Sequence, residues 1–247
     1  MSDELERYTL PEGRVYTDGD EMALPSVTTV LDQAPEPPGI KYWKQKNDGT
    51  GGNPHWEDIL QYKANRGTMI HYRLLNEFSE DDIHGTNEEN STEELKLEGN
   101  WKRYQSDLAF AQDAWEEIKQ TQGINEDTVL DVECFVTNIA VGYAGQFDLL
   151  YIDDDSNIVL ADLKTGKGVY PKYKKQLVAY ENALNLDVDR VEVIRIYPDG
   201  EEWEVSGSDK WPETREELWA EFRELRDGMG DVEERMQSIV EDGINDT

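Results

Sequence analysis

The sequence has a single cysteine and no long apolar run. Cys134 is its one cysteine, so the chain forms no internal disulfide and binds no iron–sulfur cluster or all-cysteine metal site. No segment approaches the roughly 20 apolar residues of a membrane-spanning helix, and the first residues show no signal-peptide pattern. We therefore expect no membrane contact and a location in a reducing cytoplasm.

Basic residues are also scarce. The chain has 24 Lys and Arg against 55 Asp and Glu, which gives a net charge of −31. This balance excludes a small basic protein that coats nucleic acid. The acids are spread over the whole chain, and such a surface keeps a protein soluble in multimolar salt, where the Debye length is about 3 Å. We expect a high-salt host cell; the alternative is a DNA mimic whose carboxylates imitate phosphates.

Large apolar side chains are plentiful, with 7 Trp, 12 Tyr and 5 Phe, so we expect a folded protein. Apolar residues at helical spacing, with capping signals, predict helices at 26–31, 92–122 and 171–185 and from Pro212 onward. A further helical stretch is predicted around Gly67, with a break at this glycine. Alternating patterns predict strands at 128–136, 144–152, 157–164 and 190–198. The rest of 1–55 is predicted to be irregular and 80–94 a mobile loop. This order predicts an α/β or α+β fold with a mixed central sheet flanked by helices.

A stripe of apolar residues near the C-terminus alternates spacings of four and three residues. It consists of Leu218, Phe222, Leu225, Met229, Val232, Met236 and Ile239. A period of 3.5 fits a helix that packs on its own domain, and it equally fits a coiled-coil contact with a partner protein or a second copy. Both interpretations remain open from the sequence.

Three charged residues are predicted to meet at one end of the sheet. Asp162 and Lys164 are two apart on a strand and so share a face. Asp148 lies on the preceding strand of the same predicted hairpin. Two buried carboxylates repel each other unless a cation lies between them, and Mg²⁺ accepts one or two carboxylates together with phosphate oxygens. The alternative is a surface ion pair.

The segment 163–180 is the basic exception in this acidic chain, since it contains no acid. Its five lysines are interleaved with tyrosines, as in surfaces that face phosphates and bases. We therefore predict DNA binding by Lys167, Lys172, Tyr173, Lys174 and Lys175. In the helix that follows, Lys172, Gln176 and Tyr180 share one face.

These motifs together resemble a known family. GYAGQFDLLYI at 142–152, VLADLKTGK at 159–167 and QLVAYENAL at 176–184 are similar to the RecB-like branch of the PD-(D/E)XK nuclease superfamily, especially stand-alone exonucleases of bacteriophages and archaeal viruses. PSVTTVL, KYW and RGTMIH upstream agree with this resemblance. It implies a restriction-endonuclease-like core, and the lone cysteine departs from those relatives that bind an iron–sulfur cluster.

The resemblance also implies roles for individual residues. The implied metal ligands are Asp148, Asp162, His71, the Leu163 main-chain carbonyl and Glu133, although Asp131 shares the predicted strand face of Glu133. The implied catalytic residues are Lys164, Asp162, Asp148, Gln176 and Tyr180, with Lys164 orienting the attacking water.

We therefore expect a DNA exonuclease that uses Mg²⁺ or Mn²⁺. The alternatives are a structure-specific endonuclease of the same superfamily and a non-catalytic acidic protein. We expect one nuclease domain over 1–247, with a mainly helical part at 1–127 that carries the histidine motif, a catalytic core at 128–198 and a C-terminal strand and helix extension at 199–247.

Overall fold

A computed structural model describes residues 6–17, 23–79, 91–92, 95–96 and 99–243. The chain begins with a three-stranded antiparallel sheet of β1 (Glu6–Leu10), β2 (Gly13–Thr17) and β3 (Ala23–Pro25). The helices that follow include α1 (Val27–Leu31), α2 (Pro38–Lys46), α3 (Trp56–Leu75) and α4 (Trp101–Gln122), and residues 91–92 and 95–96 are helical as well. Most of the predicted loop at 80–94 lies outside the described residues.

The central sheet has five strands in sequence order. They are β4 (Val129–Asn138), β5 (Tyr143–Ile152), β6 (Ile158–Lys164), β7 (Arg190–Tyr197) and β8 (Glu202–Gly207). β6 and β7 are parallel and every other pair is antiparallel. The helix α5 (Pro171–Glu181) connects the two parallel strands. The predicted mixed sheet with flanking helices is therefore confirmed.

Helices cover both faces of this sheet. On one face, α3 and α4 contribute Met69, Ile70 and Trp115 to a buried cluster with strand residues such as Val159. On the other face, α1 and α5 pack against residues such as Leu160. Because β6 is buried on both faces, it is nearly all apolar, and its two charged residues lie at its carboxyl end.

The helix α3 corrects the predicted break at Gly67, because it runs without interruption from Trp56 to Leu75. Buried side chains on both sides of the glycine, among them Tyr62 and Met69, hold it against the sheet. The glycine instead permits close packing, since a Cβ at this position would lie 3.3 Å from Thr165 Oγ1. Residues 91–92 and 95–96 are helical, as predicted, but the helix from about Thr92 to Gln122 is not continuous, because α4 begins anew at Trp101 after Asn100.

The N-terminal region is more regular than predicted. The short helix α1 is confirmed, and Ser26 caps it by accepting a hydrogen bond from the Thr29 N–H at 3.0 Å. The strands β1–β3 and the helix α2 were not predicted, since prolines and glycines interrupt the periodic pattern there. These elements bring the start of the chain to the central sheet, where Ser26 bridges to Ala144 of β5.

The C-terminal extension consists of α6 (Arg215–Asp227) and α7 (Gly230–Gly243). The helix α6 begins after Thr214, which forms a capping box with Glu217, so Pro212 precedes the cap instead of occupying the first turn. The predicted apolar stripe packs on its own chain, apart from Ile239, whose side chain lies outside the described residues. Its buried members are Leu218, Phe222, Met229 and Met236. Within the described part of the chain, no helix has both the length and the apolar character that crossing a membrane requires.

Candidate active site

The site forms where β5 and β6 separate. Their regular pairing ends at Leu149 and Ala161. Beyond this point the Leu163 N–H donates its hydrogen bond to Asp148 Oδ2, at 2.7 Å, instead of to a strand carbonyl. The carboxylate of Asp148 thus replaces the sheet partner that the end of β6 lacks, and this holds Asp148 beside Asp162.

A cleft of about 330 Å³ opens over this point. The helices α1, α3 and α5, the strands β4 and β5 and the N-terminal sheet all contribute to its walls. The predicted site residues that line it are His71, Glu133, Asp148, Gln176 and Tyr180. Segments that are far apart in the sequence therefore meet at one end of the central sheet.

Three of these residues form a group with the character of a metal site. One ligand atom each from His71, Glu133 and Asp148 lies within 4.8 Å of the other two. The Nδ1 atom of His71 is 3.5 Å from Asp148 Oδ2, and the imidazole is within hydrogen-bonding reach of the Leu163 main-chain carbonyl. The structure thus brings together four of the five predicted metal-binding groups.

Glu133 reaches the cleft through a strained backbone. Its φ is +49°, a left-handed conformation that costs a non-glycine residue about 1–2 kcal/mol. The side chain of Gln146 stabilises it by donating a hydrogen bond to the Glu133 carbonyl at 2.8 Å. Asp131 is exposed and instead accepts a hydrogen bond from the Val132 N–H. The distortion therefore selects Glu133, and not Asp131, for the cleft.

Asp162 lies beside this group but outside it. Its side chain is fully buried and forms an ion pair with Lys164 Nζ. Apart from this ion pair, neither carboxylate oxygen of Asp162 has a hydrogen-bond partner among the described residues. The ammonium of Lys164 also lies 5.2 Å from the ring centroid of Tyr173. The predicted acid and lysine therefore share one face of β6, as expected.

Burial disfavours the ionised form of the carboxyl groups in the site. It raises the pKa of Asp162 to about 6, with Lys164 opposing and Asp148 adding to the effect. Burial and the neighbouring carboxylates raise the pKa of Glu133 to about 9, and burial also raises the pKa of Asp148. A bound cation would relieve this repulsion.

His71 and Lys164 differ in how they respond to burial. Burial, together with Lys164, lowers the pKa of His71 to about 4, so the imidazole is neutral and has a lone pair for a ligand. Burial also opposes the charge on Lys164, but Asp162 and Asp148 outweigh it and raise the pKa of the ammonium. The lysine therefore remains charged beside the carboxylates.

The helix α5 supplies the remaining wall of the cleft. Gln176 Nε2 donates a hydrogen bond to the Tyr180 hydroxyl at 2.9 Å, and both side chains are buried. Gly145 makes room for the tyrosine, since a Cβ there would lie 2.4 Å from the ring. The predicted helical face is therefore present and points into the site.

The predicted DNA-binding residues lie in more varied surroundings. Lys172 forms an ion pair with Asp32. Lys174 and Lys175 bind acids near and on α6, with Lys174 2.8 Å from Glu213 and Lys175 2.9 Å from Glu221. Tyr173 packs beside Lys164, and Lys167 is exposed. The acid-free segment is therefore partly neutralised by the rest of the chain, and its role in DNA binding stays a prediction.

A buried arginine that the sequence analysis did not single out holds the loop that follows Lys164. Arg66 NH1 lies 2.7 Å from Asp107 Oδ2 and 3.0 Å from Asp199 Oδ1. Its NH2 donates to the carbonyl of Thr165, the residue after Lys164. Arg66 belongs to the quoted RGTMIH segment, which was the available signal. Arg7, Arg14 and Gln146 also line the cleft, and for the arginines the sequence offered no signal.

The donor set fits a hard divalent cation. Carboxylate and carbonyl oxygens are the ligands that Mg²⁺ and Mn²⁺ prefer, and a neutral imidazole is accepted by Mn²⁺. The buried oxygens of Asp162, which have Lys164 as their one partner among the described residues, also fit a cation. His71, Glu133 and Asp148 would hold this metal. The structure therefore combines a mixed sheet with an acidic site, able to hold a metal ion, at the end of its strands.

Comparisons with known proteins give the family. The family model of the PD-(D/E)XK nuclease superfamily matches residues 39–236, so the chain belongs to this superfamily. Membership implies nuclease activity, and members use divalent metals. No curated protein matches the sequence. The crystal structure of SSO0001 aligns over 78% of this chain and 85% of that chain, with 13% identity and a TM-score of 0.33, a likeness from which we argue nothing.

Proposed function

We propose that this protein is a DNA exonuclease that uses Mg²⁺ or Mn²⁺ to hydrolyse phosphodiester bonds. The observation that carries the proposal is the group of His71, Glu133 and Asp148, with ligand atoms within 4.8 Å of one another, next to the Asp162–Lys164 pair. Family membership supports it independently. A non-catalytic acidic mimic of DNA requires neither a metal site nor a buried lysine beside it.

Each residue has a role in this proposal. His71, Glu133 and Asp148 hold the metal, with Asp162 and the Leu163 carbonyl as further ligands. When bound, the metal lowers the pKa of a water and offsets negative charge on the phosphate. The ammonium of Lys164 orients the attacking water and stabilises charge on the phosphate oxygens. Gln176 and Tyr180 support this arrangement from α5, and Gln176 holds the Tyr180 hydroxyl.

The finer parts of the proposal concern substrate and source. We assign DNA contacts to Lys167, which is exposed, and to Lys172, Tyr173, Lys174 and Lys175 around it. We also place the protein in the RecB-like branch, as a viral enzyme acting in the cytoplasm of a high-salt host, with 1–247 as one nuclease domain. The net charge of −31 supports the salt adaptation.

The test is digestion of linear DNA labelled at either end, with Mg²⁺, Mn²⁺ or EDTA, from low to multimolar KCl. We expect metal-dependent release of short products from one end. We also expect a rate at least about 10²-fold lower in Lys164→Ala, with Lys210→Ala, an exposed lysine away from the site, as the control. Full activity of Lys164→Ala would overturn the proposal. Cleavage of closed circular DNA would instead identify an endonuclease, and no cleavage with any metal would favour the non-catalytic alternative.

A further inference from the structure

The hairpin of β1 and β2 places two arginines in the wall of the candidate active-site cleft. Arg7 and Arg14 line the cleft together with His71, Glu133 and Asp148. Arg7 is paired with Tyr16 across the hairpin, and Arg14 is two residues before Tyr16 on the same strand. Both arginines precede the residues that the family model matches, so membership in the superfamily assigns them no role.

The two guanidinium groups converge on one neutral group. Burial raises the pKa of Tyr16, and Arg14 and Arg7, both within hydrogen-bonding reach of its hydroxyl, oppose this rise. Arg14 is exposed, and no carboxylate of the described residues forms an ion pair with it. Two like charges held close together repel each other. An anionic ligand in the cleft would offset this repulsion and would contact the exposed guanidinium of Arg14.

The backbone of Arg14 is held in place before any ligand arrives. Its carbonyl accepts hydrogen bonds from the Ser26 N–H at 2.9 Å and from Thr29 Oγ1 at 2.8 Å. Gly13 packs so closely on Thr29, with a φ of +133°, that a Cβ there would lie 2.6 Å from the threonine side chain. A fixed backbone with a solvent-exposed guanidinium lowers the entropic cost of binding.

Arg7 connects this wall of the cleft to the metal-binding group. Its NH1 donates to Gln146 Oε1 at 3.3 Å, and Gln146 Nε2 donates to the carbonyl of strained Glu133 at 2.8 Å. An anion at the arginines therefore lies next to the metal ligands and shares the same cleft. Arg7 is accordingly a positioning residue as well as a source of charge.

We propose that Arg14, with Arg7 beside it, forms a phosphate site that binds the DNA strand next to the phosphate undergoing cleavage. The inference rests on the proposed nuclease function and deepens it. A guanidinium donates two parallel hydrogen bonds to one phosphate, which fixes its orientation as well as its position. The N-terminal hairpin thereby sets which phosphodiester bond reaches Lys164 and the metal ligands.

The test measures DNA binding separately from cleavage. A fluorescein-labelled single-stranded 12-mer is titrated with the full-length protein in EDTA, at a series of KCl concentrations, and anisotropy is recorded. Arg14→Gln is compared with Lys210→Gln, which changes the net charge equally at the other end of the sheet. We expect about tenfold weaker binding for Arg14→Gln and a salt slope smaller by about 0.7, with Lys210→Gln unchanged. Arg14→Lys should recover only part of the affinity, since it lacks the two-pronged donor.

Cleavage kinetics and the end chemistry of the probe complete the test. We expect Arg14→Gln to raise KM more than it lowers kcat, because it removes binding and not a reacting group. Probes with a 5′-phosphate, a 3′-phosphate or neither then distinguish a terminal phosphate from an internal one as the bound group. Equal affinity and salt slope for Arg14→Gln and Lys210→Gln would overturn the phosphate site while leaving the nuclease function intact. A protein that never cleaves DNA, yet loses affinity in Arg14→Gln, would overturn the nuclease function alone.

Discussion

Two acidic clefts of equal size lie at opposite ends of β6, and they differ in how their carboxylates are paired. The candidate active-site cleft is at the carboxyl end. The distal cleft, at the amino end, also measures about 330 Å³, and its lining includes Asp153, Asp154, Asp155, Arg190 and Glu192. Volume therefore does not distinguish them, and the lining of the distal cleft contains more acids than that of the candidate active-site cleft.

In the distal cleft the buried acid is fully satisfied. Glu192 accepts a hydrogen bond from the Tyr151 hydroxyl at 2.6 Å and another from Arg190 Nε at 3.2 Å. Arg190 also donates to Asp153 at 3.0 Å. In the candidate active-site cleft, by contrast, Asp162 has Lys164 alone, and three further ligand groups crowd together beside it. Unsatisfied buried carboxylates, and not acidity as such, mark the end of the sheet at which we propose that a metal binds.

The largest difference between the two clefts should appear when one acid is neutralised at each end of β6. We expect Asp162→Asn to lower DNA cleavage at least about 10²-fold, whereas Glu192→Gln should leave the rate unchanged. Glu192→Gln should instead lower the free energy of unfolding by about 1–3 kcal/mol, since Arg190 and Tyr151 lose a charged partner. Cleavage rates and urea unfolding measure the two effects, and equal loss of cleavage in both variants would contradict the comparison.

A second difference concerns stabilisation by metal. We expect Mn²⁺ at 100 times its Kd to raise the free energy of unfolding of the wild type by about 2.7 kcal/mol. The same gain should appear in Glu192→Gln and disappear in Asp148→Asn, which removes a ligand. Thermal unfolding with and without Mn²⁺ measures this. A gain that survives in Asp148→Asn would place the metal elsewhere.

The smallest expected effect is a pH dependence at the distal cleft. Burial raises the pKa of Asp153, but hydrogen bonds from Asn157 and Arg190 outweigh it and lower this pKa below its usual value. A lowered pKa stabilises the folded state above the unfolded value of about 3.9, and this contribution is lost as the pH falls below it. Asp153→Asn should therefore flatten the acid limb of the stability curve, and Asp155→Asn, exposed on the same turn, should not.

The central sheet could be predicted from the sequence, and so could the residue pairs that strand and helix periodicity bring together. Asp162 and Lys164 share a face because successive side chains of a strand point to opposite faces. Gln176 contacts Tyr180 because residues four apart lie on one face of a helix. Both relations are local, so a single sequence contains them. Asp148 followed from the hairpin between β5 and β6, which a short turn makes predictable.

Contacts between distant segments were beyond the sequence. No local pattern indicates that Arg14 and Glu133 line the same cleft, or that Lys174 pairs with Glu213 of the C-terminal extension. Glutamate does not favour a φ of +49°, so only the packed structure, with Gln146 holding the carbonyl, selects Glu133 over Asp131. The hairpin of β1 and β2 was missed because its strands are only five residues long and Pro11 and Gly13 interrupt the pattern between and within them.

The ion pairs of Arg66 connect the candidate active site to Asp199, a residue that is added late in synthesis. Every proposed catalytic residue has been added once the chain reaches Tyr180, yet the loop after Lys164 is anchored through Arg66, which needs Asp199 as well as Asp107. A ribosome-bound chain that ends before Asp199 thus carries all the reactive groups without their final support.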